Sequence, residues 1–311
     1  MSGINTDTRR AANINVLCVF GALEAFTALM ILFGGALSDA AFDRVFTLVS
    51  QIACMGILPF VIFRKASGGG VDVAKHISLG APVKGSGAKI AAIAFMMIFI
   101  NLTVASVWIT VLEGAGFTLP ASDATVYPDF NAVLVELAFI AVLPAIFEEF
   151  TFRGILLGAY KESPMTAIIL SSLMFALMHA NIVQFFFTFV GGVVMGLLVV
   201  KTRSIIAGSA VHFAINAFSV LSSYGSQNPD SAFGKALDFI FGPDFVLVYF
   251  ALVIGMIALT VSLLKSIDKN APVDLRAKLP RQPLKSLSFL AGAATLGLLL
   301  TGFTFYWGII R

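Results

Sequence analysis

The sequence predicts an all-α, polytopic integral membrane fold of eight or nine transmembrane helices, and three observations carry that expectation. Of 311 residues, 59% are hydrophobic and only 12% charged, whereas a soluble domain needs about a quarter of its residues charged. The apolar residues form long continuous runs rather than alternating with period two, which excludes a barrel and leaves helices to satisfy the peptide groups in lipid. Basic and acidic connections alternate along the chain, the pattern that successive crossings leave.

Nine apolar runs lie at about 14–37, 45–63, 88–112, 132–159, 165–180, 183–200, 204–221, 245–265 and 286–310, lengths near the ~20 residues that cross hydrocarbon. The first lacks a small-residue cleavage site and is long enough to span, so it is read as a helix and not a signal peptide. Cys18 and Cys54 fall inside the first two runs without disulfide or metal spacing and are expected to pack or face lipid. The connection 66–88 mixes Gly68, Gly69, Gly70, Pro82 and Gly85 with lysines, and 267–285 holds Pro272, Pro280 and Pro283. Both read as flexible, basic connectors that touch anionic headgroups, and His76 within the first reads as solvated. Asn101 in the third run reads either as interhelical glue or as a pocket-lining group, with glue the favoured reading. In the fourth, Pro144 frees the carbonyl of Ile140 and can kink the helix. The fifth and sixth runs nearly abut and are the shortest, so a tilted or partly re-entrant helix there gives eight full spans. Gly192 and Gly196, four apart in the sixth, permit close approach to a neighbour.

Charge sets the orientation. Basic residues follow the even-numbered runs and precede the first: Arg9 and Arg10; Arg64, Lys65, Lys75, Lys84 and Lys89; Lys161; Lys201 and Arg203; Lys265, Lys269, Arg276, Lys278, Arg281 and Lys285. The other connections carry Asp39, Asp43, Glu113, Asp123, Asp129, Asp230, Asp238 and Asp244. This places the N-terminus in the cytoplasm and Arg311 outside, with a prokaryotic cytoplasmic membrane as the expected location. The net charge of +3 gives no reason to expect nucleic acid; membrane lipids are the expected surroundings.

Ionisable residues inside spans are costly and mark functional sites by default. They cluster between residues 144 and 216: VLPAIFEEFTFRG with Glu148, Glu149 and Arg153; FALMHA with His179; and GSAVHFAIN with His212 and Asn216. Glu149 and Arg153, four apart, share a helix face and can pair. Glu148 is turned by about 100° from Glu149 and is left free for chemistry. His212 and Asn216 share a face in the same way, and Phe175 stands one turn before His179. Measured from the cytoplasmic ends, Glu148, His179 and His212 lie about 16, 21 and 12 Å deep at ~1.5 Å per residue, so they are expected to converge in a pocket below the cytoplasmic surface. A buried carboxylate beside an imidazole can deprotonate water, and an imidazole with an amide suits an oxyanion. Glu148 with His179 supplies the first pair, and His212 with Asn216 the second.

Three motifs in order, Glu148-Glu149-x3-Arg153, Phe175-x3-His179 and His212-x3-Asn216, resemble the CAAX prenyl endopeptidase and bacteriocin-processing family of abortive-infection-type intramembrane proteases. The resemblance covers about 132–221. It implies a conical catalytic core of four helices in a single integral membrane domain, flanked by accessory helices within 14–112 and 245–310. It also implies glutamate-dependent proteolysis in which Glu148 and His179 activate water and His212 and Asn216 hold the oxyanion. Glu149 and Arg153 would organise the site or contact the substrate, a peptide or protein that in some members carries a prenyl group. No cofactor is expected; zinc is the less favoured variant, because the chain lacks the His-Glu-x2-His helix of common zinc proteases. Two other classes stay open. One is a proton-coupled transporter using the same groups as a relay, although no inverted repeat is visible; the other is a catalytically silent scaffold.

Overall fold

A computed structural model describes residues 6–33, 38–69, 71–119, 127, 130–268, 272–278 and 284–310. Asp123, Asp129, Lys269, Arg281 and Arg311 of the charge alternation lie outside the described residues, as do Gly70, Pro280, Pro283 and the side chains of Asp39 and Lys285. Among the described residues every regular element is helical, as the composition requires, and the chain is a polytopic membrane protein. Eight helices are long and apolar enough to cross a membrane: α1 (Thr8–Phe33), α2 (Ala41–Ala66), α3 (Gly87–Gly114), α4 (Phe130–Leu157), α6 (Ile182–Thr202), α7 (Ile205–Gln227), α8 (Pro243–Ile267) and α9 (Ser286–Ile310). The ninth apolar run is α5 (Pro164–Met178), 15 residues long.

α5 resolves the choice between eight and nine. At ~1.5 Å per residue it reaches about 22 Å, short of the ~30 Å hydrocarbon layer. Yet α1 and α9 run side by side in the same direction. Asn13 donates to Ser286, while Gly292 faces Leu17 and Gly297 faces Phe20. Parallel first and last helices need an odd number of passes, so α5 is itself a pass. It is short because Ala167, Ile168, Ser171, Ser172, Met174 and Phe175 are buried in protein, not in lipid. Its hairpin with α6 turns at His179–Asn181, where Ala180 adopts φ 47°. As the spacing of Gly192 and Gly196 suggests, α6 approaches α5 closely: a methyl on Gly192 would sit 3.0 Å from Ser172, and one on Gly196 3.2 Å from Ile168.

Among the described residues, the basic connections gather at one end of the bundle. Arg9 pairs with Glu162 and donates to Ala159 O, Tyr160 donates to Asn13, Ser163 donates to Ala277 O, and Lys201 pairs with Asp268 at 2.6 Å. At the other end Thr118 N–H donates to Gly308 O and Trp108 donates to Ile182 O. We call these the basic end and the far end. Of the two cysteines, Cys54 is buried and Cys18 half-buried, and both are free thiols.

The structure corrects the reading of the 66–88 connection. It is docked rather than flexible over 73–83, where a short helix, Val73–His76, leads into backbone bonds from Ile205 N–H to Ser78 O and from Val83 N–H to Thr202 O, both at 3.1 Å. Ser204 also donates to Gly80 O. His76 is not solvated. It is buried, its Nε2 lies 3.1 Å from Ile155 O, and its ring packs 4.7 Å from Phe63. Sequence could not show this because the burying partners, Phe63, Ile155 and Gly158, come from other segments; a methyl on Gly158 would sit 2.8 Å from His76 O. Burial pushes the His76 imidazole below its ordinary value, against the bond to Ile155 and with the help of Lys161. The undocked loop therefore takes up a proton at a pH where the docked loop does not. Docking is strongest above about pH 6.5, the ordinary histidine value, and weakens as pH falls from there toward the lowered one. Limited proteolysis between residues 66 and 86 should accelerate over that window in wild type and not in His76→Phe.

Candidate functional site

Two prolines shape the helices that build the site. Pro59 and Pro144 lack the N–H that would serve the carbonyls of Met55 and Ile140. The chain before each widens into a π-helical stretch, Val49–Ile57 in α2 and Leu137–Val142 in α4. Each stranded carbonyl is taken by a neighbouring helix: Thr151 donates to Met55 O at 2.7 Å, and Asn216 Nδ2 donates to Ile140 O at 3.0 Å. The freed carbonyl at Ile140 follows from the sequence; its partner does not. A third π-helical stretch, Phe150–Leu157, follows the glutamates. Such insertions concentrate at functional sites because they re-aim side chains. Gly56 completes the α2–α4 contact, since a methyl there would meet Phe147 at 2.7 Å.

The polar residues of α4, α5 and α7 converge. Glu149 is fully buried and accepts from Arg153 at 2.8 Å, so the expected pair forms. The same Glu149 oxygen also lies 3.1 Å from His212 Nδ1, and the other ring nitrogen, Nε2, lies 3.7 Å from Glu148 Oε2. His212 is thus held between two carboxylates. The sequence reading grouped Glu148 with His179 and His212 with Asn216; the structure sets all four on one cavity wall and adds a contact between His212 and Glu148. His179 sets its Nδ1 2.8 Å from Phe175 O, which makes Nδ1–H the donor and leaves Nε2 as the free ring nitrogen. Phe175 packs on more than His179: its ring lies 5.0 Å from His179 and 5.6 Å from His212, both edge-on, with the Arg153 guanidinium 4.3 Å from its centre.

A cavity of about 380 Å³ opens beside these groups, and Glu148, Phe175, His179, His212 and Asn216 all line it. Glu149 and Arg153 do not line it. They stand behind the wall, fixing His212 and Phe175, and in this arrangement neither reaches a substrate. Gly208 and Gly192 make room for them: methyls there would lie 2.8 Å from Glu149 Oε2 and 3.0 Å from Arg153 Nη2. Asn216 spends one N–H on Ile140 and keeps the second, since a primary amide has two.

Five wall residues come from outside the expected four-helix core, Phe46, Thr47, Ser50 and Gln51 of α2 and Asn101 of α3. Gln51 of α2 is buried and donates from Nε2 to Glu148 Oε1 at 2.8 Å. Asn101 of α3 lines the cavity, the less favoured of its two sequence readings, while also standing against Gly191 of α6. A side-chain amide in the middle of an apolar run is the signal that could have found Gln51. Among the described residues, no three His, Cys, Asp or Glu side chains are grouped to hold a metal ion. His212 Nδ1 faces Glu149 and one oxygen of Glu148 faces Gln51.

Fold and cavity define the class: a polytopic helical membrane protein whose ionisable side chains are assembled around one intramembrane chamber. Residues 130–218 match the family model described as type II CAAX prenyl endopeptidase Rce1-like. That segment runs from α4 into α7 and contains all three motifs, so this part of the chain is similar to that family. No curated protein and no solved structure matches the chain.

Proposed function

We propose that this protein is an intramembrane endopeptidase that hydrolyses a peptide bond with water activated at Glu148. The observation that supports it most is His212 held between Glu148 and Glu149 in the cavity wall. Glu148 Oε2 takes a proton from water as the water oxygen bonds to the substrate carbonyl carbon. Gln51 holds the other carboxylate oxygen, which fixes the base in one orientation. His212, positioned through Nδ1–H to Glu149, presents Nε2 beside the attacking water. The free N–H of Asn216 donates to the tetrahedral oxyanion. As the C–N bond breaks, the proton held on Glu148 passes to the leaving nitrogen, with His179 Nε2 as the nearby imidazole that can relay it. The catalytic unit is then α4–α7 (the expected 132–221) with α2 and α3 as structural contributors. The N-terminus and basic end face the cytoplasm of a prokaryotic cell, and the substrate is a peptide or protein at the membrane.

The test uses the purified full chain in detergent with two reference peptides ending in a CAAX-type sequence, one prenylated and one not. Cleavage of at least one, unchanged by strong chelators, is expected. Proton flux in liposomes without cleavage, or turnover lost to chelators with one zinc bound per chain, overturns the reading. If only the prenylated peptide is cut, the lipid is recognised.

A further inference from the structure

From helix depth alone the site belongs to the basic end, because Glu148 stands nine residues before Leu157, about 14 Å at the helical rise. The packing closes that route. Phe152, Ile155, Leu156 and Ala207 between the glutamates and the basic end are fully buried. The 73–83 loop is bonded across the mouth by Ser78, Gly80 and Val83. An apolar cavity of about 600 Å³ does lie on that side, lined by Phe60, Ile77, Leu79, Phe147 and Ile205, but it shares no wall residue with the chamber.

In the other direction the chamber continues. A second cavity of about 340 Å³ shares five walls with it, Phe46, Thr47, Phe139, Ile140 and Ser219. Beyond that throat its sides are Asp43 and Arg44 of α2, Glu136 of α4 and Ser223 of α7, all in the far-end halves of their helices. Within the chamber, Gln51 Oε1 is buried without a partner, an acceptor left open in the wall. We propose that this second cavity is the substrate-admitting subsite, open at the far end, and that it takes an extended, polar peptide segment and threads it toward Glu148. The proposal rests on the hydrolytic reading of the chamber and deepens it by naming the side from which substrate arrives.

The chemistry of the walls favours a peptide backbone. An extended chain inside a bilayer carries N–H and C=O groups that lipid cannot satisfy. The hydroxyls of Thr47, Ser219 and Ser223 can donate or accept, and Gln51 Oε1 can accept one N–H. Asp43 and Glu136 against the single Arg44 leave the mouth with an excess of acid, which suits a neutral or cationic segment. With the basic end in the cytoplasm, such a segment comes from the outer side of the membrane.

Accessibility decides it without requiring turnover. In full-length protein carrying Cys18→Ala and Cys54→Ala, single cysteines are placed by Ser219→Cys and Ser223→Cys in the passage and by Lys84→Cys at the basic end. A charged, membrane-impermeant maleimide is then applied to sealed vesicles of both orientations. The passage variants should be labelled from the side opposite to that labelling Lys84→Cys, and a polar peptide should slow labelling at Ser219→Cys. Labelling of the passage from the Lys84 side overturns the proposal, and so does labelling by lipid-permeant reagents alone, which would mean lateral access. Cleavage of the reference peptides is measured separately on wild type. Its failure would sink the hydrolase reading while leaving the sidedness of the passage standing.

Discussion

Glu148→Gln is expected to lower turnover by about 10²–10⁴-fold, the range that a positioned general base contributes, with little change in thermal stability. The substitution is nearly isosteric, and the amide can still meet Gln51. What it loses is the ability to take a proton from water. Gln51→Leu should cost less, about 10–100-fold, because it removes one hydrogen bond to a charged group, worth about 1.5–3 kcal/mol, and leaves the base present but free to rotate. Steady-state cleavage of the reference peptide, with unfolding followed in the same detergent, separates the two. A Glu148→Gln enzyme that retains more than a tenth of wild-type turnover would remove Glu148 from the mechanism.

Arg153→Leu should destabilise the fold by about 3–5 kcal/mol, the cost of stranding one member of a buried ion pair. Glu149 is fully buried, and its ion-pair partner is four residues along the same helix. The guanidinium also sits on Phe175, so Arg153→Lys keeps the charge but loses the flat stacking surface and should fall between wild type and Arg153→Leu. The double variant Glu149→Leu/Arg153→Leu is decisive. Removing both charges removes the stranded group, so stability should recover substantially. Activity should not, because His212 then has no acceptor for Nδ1–H and loses its orientation toward Glu148. A double variant that regains activity with stability would make the pair purely structural and deny Glu149 a part in positioning His212.

The amino-acid sequence by itself determined the all-helical membrane architecture, because too few polar residues exist to cover a water-exposed surface, and among the described residues it separated the basic connections from the acidic ones. It also determined the Glu149–Arg153 pair, since residues four apart on one helix are neighbours whatever surrounds them. The carbonyl left free at Ile140 followed from Pro144 for an equally local reason. What only tertiary structure decided were contacts between helices. Gln51 and Asn101 reach the chamber from α2 and α3, across distances that periodicity does not encode. His212 meets both glutamates, although a 100° turn had separated them, because helix packing sets which side chains of neighbouring helices meet.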